Sequence, residues 1–145
     1  MVNAAGDVLD WRTGSIVAGA RHADGTFADS GALLLGDLDR RARADRRLDD
    51  EPFRATTLTV IATNVSLDKT SLTKLAMMAN TGASRAVRPY HTQGDGDQVL
   101  AISTNTVVSD VSLTALGSVA ADAASHAILR GVLRASGLDG WPAVP

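Results

Sequence analysis

The chain has 145 residues, 45% of them apolar and 21% charged, which suits one folded unit with its own core and argues against wholesale disorder. Lys and Arg number 14 against 16 Asp and Glu, so the net charge of −2 leaves no electrostatic footprint for nucleic acid or an anionic membrane, and no apolar run is long enough for a transmembrane helix. The absence of cysteine removes disulfides, cysteine-bound zinc, iron–sulfur centres and thiol nucleophiles, and is compatible with a reducing cytoplasm, the expected location.

Met1 to Asp10 hold two acids and no base, which is wrong for a secretory signal. Two short apolar runs, Val2 to Leu9 and Ser15 to Ala20, flank an Asp-x-x-Thr-Gly turn and predict adjacent strands. From His22 to Phe53 the pattern dissolves. There Arg40, Arg41, Arg43, Arg46 and Arg47 alternate with Asp39, Asp45, Asp49, Asp50 and Glu51, as in a solvated loop or an exposed helix whose acids cancel its arginines. Leu58 to Thr63 is short and β-branched, hence a strand. Ser66 is the expected N-cap of the helix that follows, with Asp68 in its first turn. Leu72, Leu75, Ala76, Ala79, Ala83, Ala86 and Val87 form its apolar face, and Pro89 ends it. Gln98 to Thr104 reads as another strand. Leu113, Leu116, Val119, Ala120, Ala123, Ala127, Ile128 and Leu133 mark a second helix, with Gly137 as its stop. Met77 and Met78 read as gap-filling core. Strand, helix, strand, helix after a strand pair predicts helices packed on a sheet, an α+β class.

Few side chains are obvious carriers of chemistry. There is no Gly-x-Ser-x-Gly elbow and no phosphate-binding P-loop. His22, His91 and His126 lack metal-ligand spacing. His126 falls within the second helix, while His91 follows Pro89-Tyr90 in a turn. Two features remain: Ala55-Thr56-Thr57 at the head of an apolar strand, and the turn Gly94-Asp95-Gly96-Asp97 before the next. Read alone, each is ordinary strand or turn chemistry.

Together they resemble a known family. The residues that carry the resemblance are Thr56 to Asn64, Lys69, Leu75-Ala76, Ser84 to Pro89, His91-Thr92, Asp95-Gly96-Asp97 and Leu116 to Asp122. Val2 to Asp7 and Ile16 to Ala20 resemble segments upstream of that family's processing site. The family is the self-processing aminopeptidases and amidohydrolases that include DmpA, the β-peptidyl aminopeptidases and nylon-oligomer hydrolase. The resemblance is to the C-terminal part of the family's precursors.

It implies an N-terminal-nucleophile hydrolase acting on N-terminal peptide or related amide bonds. Thr56 matches the nucleophile freed by self-cleavage before it. Asn3 matches the oxyanion-binding asparagine. Asp95 and Asp97 match carboxylates beside the nucleophile. The implied fold is part of an αββα sandwich. Residues 1–55 would be the end of the family's first subunit, and 56–145 its second. No metal or organic cofactor is implied. The implied partners are a peptide or amide substrate and an oligomer of processed heterodimers. The alternative is a non-catalytic fragment or an assembly partner for a separate upstream half.

The chemistry suits those roles. A threonine hydroxyl needs a base, which the α-amine of the same residue can supply once free. An asparagine N–H suits the tetrahedral oxyanion. Carboxylates nearby would raise the pKa of that amine and attract a substrate ammonium.

Overall fold

The computed structural model describes residues 1–41, 55–139 and 143–144. In chain order the elements are β1 (Val2–Asn3), β2 (Asp7–Asp10), β3 (Ser15–Ala18), α1 (Ser30–Arg41), β4 (Thr56–Val65), α2 (Lys69–Ala86), β5 (Val87–Arg88), β6 (Gln98–Val107) and α3 (Leu113–Leu133). The strands form two sheets, ordered β1-β4-β6 and β3-β2-β5. The class is mixed α and β, as expected. Among the described residues, no helix is long and apolar enough to cross a membrane.

The unit β4–α2–β6 is the frame. β4 and β6 run parallel, from Leu58 opposite Gln98 to Thr63 opposite Ser103. Parallel neighbours need a crossover, which α2 provides. β1 lies antiparallel on the other edge of β4, with Val2 opposite Thr57 and Asn3 opposite Thr56. Alternation along the strands divides the sheet into two faces. Ile61, Val99 and Ala101 pack on Leu75 and Ala79 of α2 and Ala120 of α3. Leu58, Val60, Leu100 and Ile102 point the other way and stay 41–58% exposed.

Both helices have side-chain caps, though the first is not the residue expected. Asp68, not Ser66, caps α2. Its carboxylate accepts the Ser71 N–H at 2.7 Å, which a serine two residues earlier is not placed to do. Ser112 caps α3 by accepting the Ala115 N–H at 3.1 Å.

The helices pack so closely that only small residues fit between them. A Cβ on Gly82 would lie 1.9 Å from the Ala121 carbonyl oxygen, and one on Gly117 would lie 2.3 Å from Met78 Sδ. The Ser125 hydroxyl donates across the contact to Gly82 O at 2.7 Å. The buried stripe of α3 therefore runs through Gly117, Ala120, Ala121, Ala124, Ser125, Ile128 and Leu129. The predicted face overlaps this one in part, since Leu113, Leu116, Ala120 and Ile128 pack inward. Val119 is 66% exposed, and Ala123 and Ala127 also face solvent, because a branched side chain at the crossing would force the backbones apart. Met78 packs against Gly117, but Met77 is exposed. α3 ends at Leu133, before Gly137, with Arg134 as its C-cap.

The second sheet contains the expected hairpin. Thr13 and Gly14 N–H groups donate to Asp10 O, and Gly14 takes a φ of +76°, open to glycine at little cost. Val2–Asn3 does not continue into this hairpin. Gly6 passes so close to the chain at Pro89 that a Cβ would sit 2.2 Å from its carbonyl oxygen, and the chain crosses there from one sheet to the other. Val87 leaves α2 to pair with Val8, so it belongs to a strand rather than the helix face. Buried Asp7 accepts the Ser30 N–H and hydroxyl and anchors the start of α1. The charged run thus begins on a helix. Its remainder, 42–54, lies outside the described residues.

Candidate active site

The first residue of β4 is Thr56, half-buried, with Asn3 directly opposite on β1. Opposed residues of an antiparallel pair project to the same side, so the two side chains share one face at the end of the sheet. The Thr56 hydroxyl donates to the Ala55 carbonyl oxygen at 2.6 Å. The Gly96 N–H reaches that same oxygen at 3.1 Å. Two donors thus converge on the carbonyl of the Ala55–Thr56 peptide bond.

The turn before β6 is held against the head of β4 by Asp97. Its side chain is buried, 3% exposed. One carboxylate oxygen accepts the Thr57 N–H at 2.5 Å and the other accepts the His91 N–H at 3.0 Å. Asp97 is therefore a clamp on two backbone donors. Asp95 differs. Both its carboxylate oxygens are shielded from water, and neither has a hydrogen-bond partner among the described residues. Burial first, and then the Asp97 charge, push the Asp95 carboxyl above its ordinary range. The same region raises the Tyr90 phenol to about 12, through burial, then Asp97, then Asp95. The Tyr90 hydroxyl donates to Asn80 Oδ1 at 3.0 Å, which ties the turn to α2.

Asn3, Thr56 and the Asp95–Asp97 turn, three separate stretches of sequence, thus meet at the head of β4. His91 meets Asp97 through its backbone N–H, and its ring is exposed. His126 stays on α3, with Nδ1 against Asp122 O at 2.9 Å and its ring edge-on to Trp11. Among the described residues, no group of three His, Asp or Glu side chains could hold a metal ion. Sequence reasoning missed Gly96 and the His91 N–H as parts of the cluster. A glycine between two singled-out aspartates was the available signal for Gly96. Nothing in the sequence pointed to the His91 backbone.

The sequence model of peptidase family S58 matches residues 8–143. The chain belongs to that family. An S58 assignment agrees with the resemblance read from Thr56 to Asp122. An uncharacterized aminopeptidase of Mycobacterium tuberculosis (strain H37Rv) is 33% identical over 167 aligned positions, covering 98% of this chain and 44% of the relative. An uncharacterized aminopeptidase of Mycobacterium leprae is 35% identical over 100 positions, covering 60% of this chain and 28% of the relative. A 6-aminohexanoate-oligomer endohydrolase of Paenarthrobacter ureafaciens is 29% identical over 85 positions, 51% of this chain and 24% of that enzyme. The chain therefore spans less than half the length of these relatives.

Proposed function

We propose that the chain is a peptidase or amidohydrolase that uses Thr56 as an N-terminal nucleophile, exposed by self-cleavage of the Ala55–Thr56 bond. The observation that carries the reading is the Thr56 hydroxyl, held 2.6 Å from the oxygen of the carbonyl it would attack. Attack by Oγ1 on the Ala55 carbonyl carbon forms an ester and frees the Thr56 amine. Hydrolysis of the ester then leaves a 55-residue piece and a 90-residue piece beginning at Thr56 (145 − 55 = 90). In turnover the α-amine takes the hydroxyl proton as the hydroxyl attacks a substrate amide. Asn3, opposite Thr56, donates to the oxyanion. The buried, unpartnered Asp95 carboxylate suits an ammonium, either that of Thr56 or that of a substrate amino terminus. Asp97 fixes the register of the strand that carries the nucleophile. Relatives named aminopeptidase and oligomer endohydrolase support N-terminal peptide or related amide bonds as the substrate class.

In this reading residues 1–55 and 56–145 are two products of one precursor segment, placed within an αββα sandwich. A further layer would cover the face of Leu58, Val60, Leu100 and Ile102. That exposed apolar face also favours a second reading, in which the chain serves as an assembly partner for a separate upstream half. Intact mass spectrometry of the purified chain separates the two. The 90-residue product, absent in Thr56→Ala, supports the nucleophile. A single uncut mass after long incubation supports the assembly reading.

A further inference from the structure

We infer that Gly96 is a determinant of self-cleavage, through its backbone N–H and through its lack of a side chain. The inference rests on the reading of Thr56 as the self-cleaving nucleophile and goes on to name a residue that makes the step possible.

Two independent features converge on this glycine. The first is its N–H, 3.1 Å from the Ala55 carbonyl oxygen. When Thr56 Oγ1 attacks, a C–O bond forms and the carbonyl π electrons move onto that oxygen. The tetrahedral centre then collapses, the C–N bond breaks, and the hydroxyl proton ends on the Thr56 nitrogen. The group already pointing at the charge that develops is the Gly96 N–H, at the distance of an effective oxyanion donor. The Thr56 hydroxyl cannot fill that role, because it is the attacking group.

The second feature is space. A Cβ on Gly96 would lie 2.5 Å from Thr56 Oγ1, 3.5 Å from Thr56 Cβ and 3.6 Å from Ala55 O. Any side chain would strike the nucleophile itself. Backbone conformation does not explain the glycine, since among the described residues the positive-φ glycines are Gly14 and Gly25. An alanine at 96 could keep the backbone in place, so its effect would fall on the hydroxyl. Threonine has little freedom to evade it, because its branched Cβ restricts χ1.

The test follows cleavage by intact mass in the 145-residue chain, with thermal melting as the check on folding. Gly96→Ala keeps the backbone N–H, and is expected to fold as the parent does and to cleave about 100-fold more slowly, the scale of a nucleophile displaced by about 1 Å. Gly94→Ala, two residues earlier in the same turn, should cleave at the parent rate. Thr56→Ser distinguishes a contact from a general structural effect, since serine can turn its hydroxyl to another rotamer. In the Thr56→Ser background the penalty of Gly96→Ala should shrink to less than about tenfold. Equal penalties in both backgrounds, a Gly96→Ala chain that cleaves within about threefold of the parent, or one that does not fold would each overturn the role of Gly96. A parent that never cleaves would instead refute the Thr56 reading, and this inference with it.

Discussion

Asp97→Asn should destabilise the protein far more than an ordinary exposed turn substitution. Asp97 is buried, and its two oxygens accept one backbone N–H each, from Thr57 at 2.5 Å and from His91 at 3.0 Å. Asparagine keeps one acceptor. Its amide nitrogen must then face the other N–H, donor against donor. One charge-assisted bond is lost, worth about 1.5–3 kcal/mol, and a buried N–H is left unpaired at a cost of about 1–3 kcal/mol, so the total is about 2.5–6 kcal/mol. For a chain of this size that corresponds to a fall of ~5–24 °C in Tm. Thermal melting followed by circular dichroism at neutral pH reads it directly. A Tm within about 2 °C of the parent would refute the two-bond clamp.

Asp95→Asn should move stability in the opposite direction, with a dependence on pH. The Asp95 carboxyl is raised above its ordinary 3.8, so over the window above that value the folded state holds the proton more tightly than the unfolded state. Stability therefore falls as pH rises through the window, and the neutral variant should melt higher than the parent near neutrality. The gain should vanish below about pH 4, and a gain that persists there would contradict burial of the charge as its cause. Asn3→Asp should keep the fold, since Asn3 is exposed, and lose roughly 10²–10³ in kcat for release of a chromophoric amine from an aminoacyl anilide. Turnover within a few-fold of the parent would remove Asn3 from the oxyanion site. Gly82→Ala would place a Cβ 1.9 Å from a backbone oxygen of α3, so a urea titration should show a loss of about 1–3 kcal/mol or more; an unchanged midpoint would mean that the helices separate freely.

The frame was legible where the pattern was long and regular. β4, α2, β6 and α3 each carry enough periodic residues for the element to be read, and the hairpin at Asp10 to Ser15 declares itself by its turn chemistry. The facing of α3 was legible only at Leu113, Leu116, Ala120 and Ile128, because a helix rich in alanine has a weak apolar contrast, and which of its other small and branched residues turn inward is decided by how closely α2 approaches. The start of α1 was hidden because its anchor, Asp7, lies 23 residues upstream. The resemblance named Asn3, Thr56, Asp95 and Asp97, while local pattern alone could not bring them together. Their meeting depends on β1 crossing to the far edge of β4 and on the Asp97 clamp, both of them long-range contacts. The different environments of Asp95 and Asp97 were equally invisible, since Gly-Asp-Gly-Asp reads as a solvent-facing turn.

The clamp also bears on what a cut before Thr56 would leave behind. A newly made chain end ordinarily frays. Here the ties that order the new end lie on its own side of the cut or across from it. The Thr57 N–H rests on Asp97, Leu58 exchanges hydrogen bonds in both directions with Met1, and β6 pairs from Leu58 onward. The Ala55 carbonyl and β1 with Met1 belong to the 55-residue piece, whereas Asp97 and β6 stay in the same piece as the new end. The amine would therefore be born in place beside its hydroxyl, with its translational and rotational freedom already surrendered during folding. Such a terminus needs no search for its partner, and its ordering can be followed as slow amide exchange at Thr57 that survives the cut.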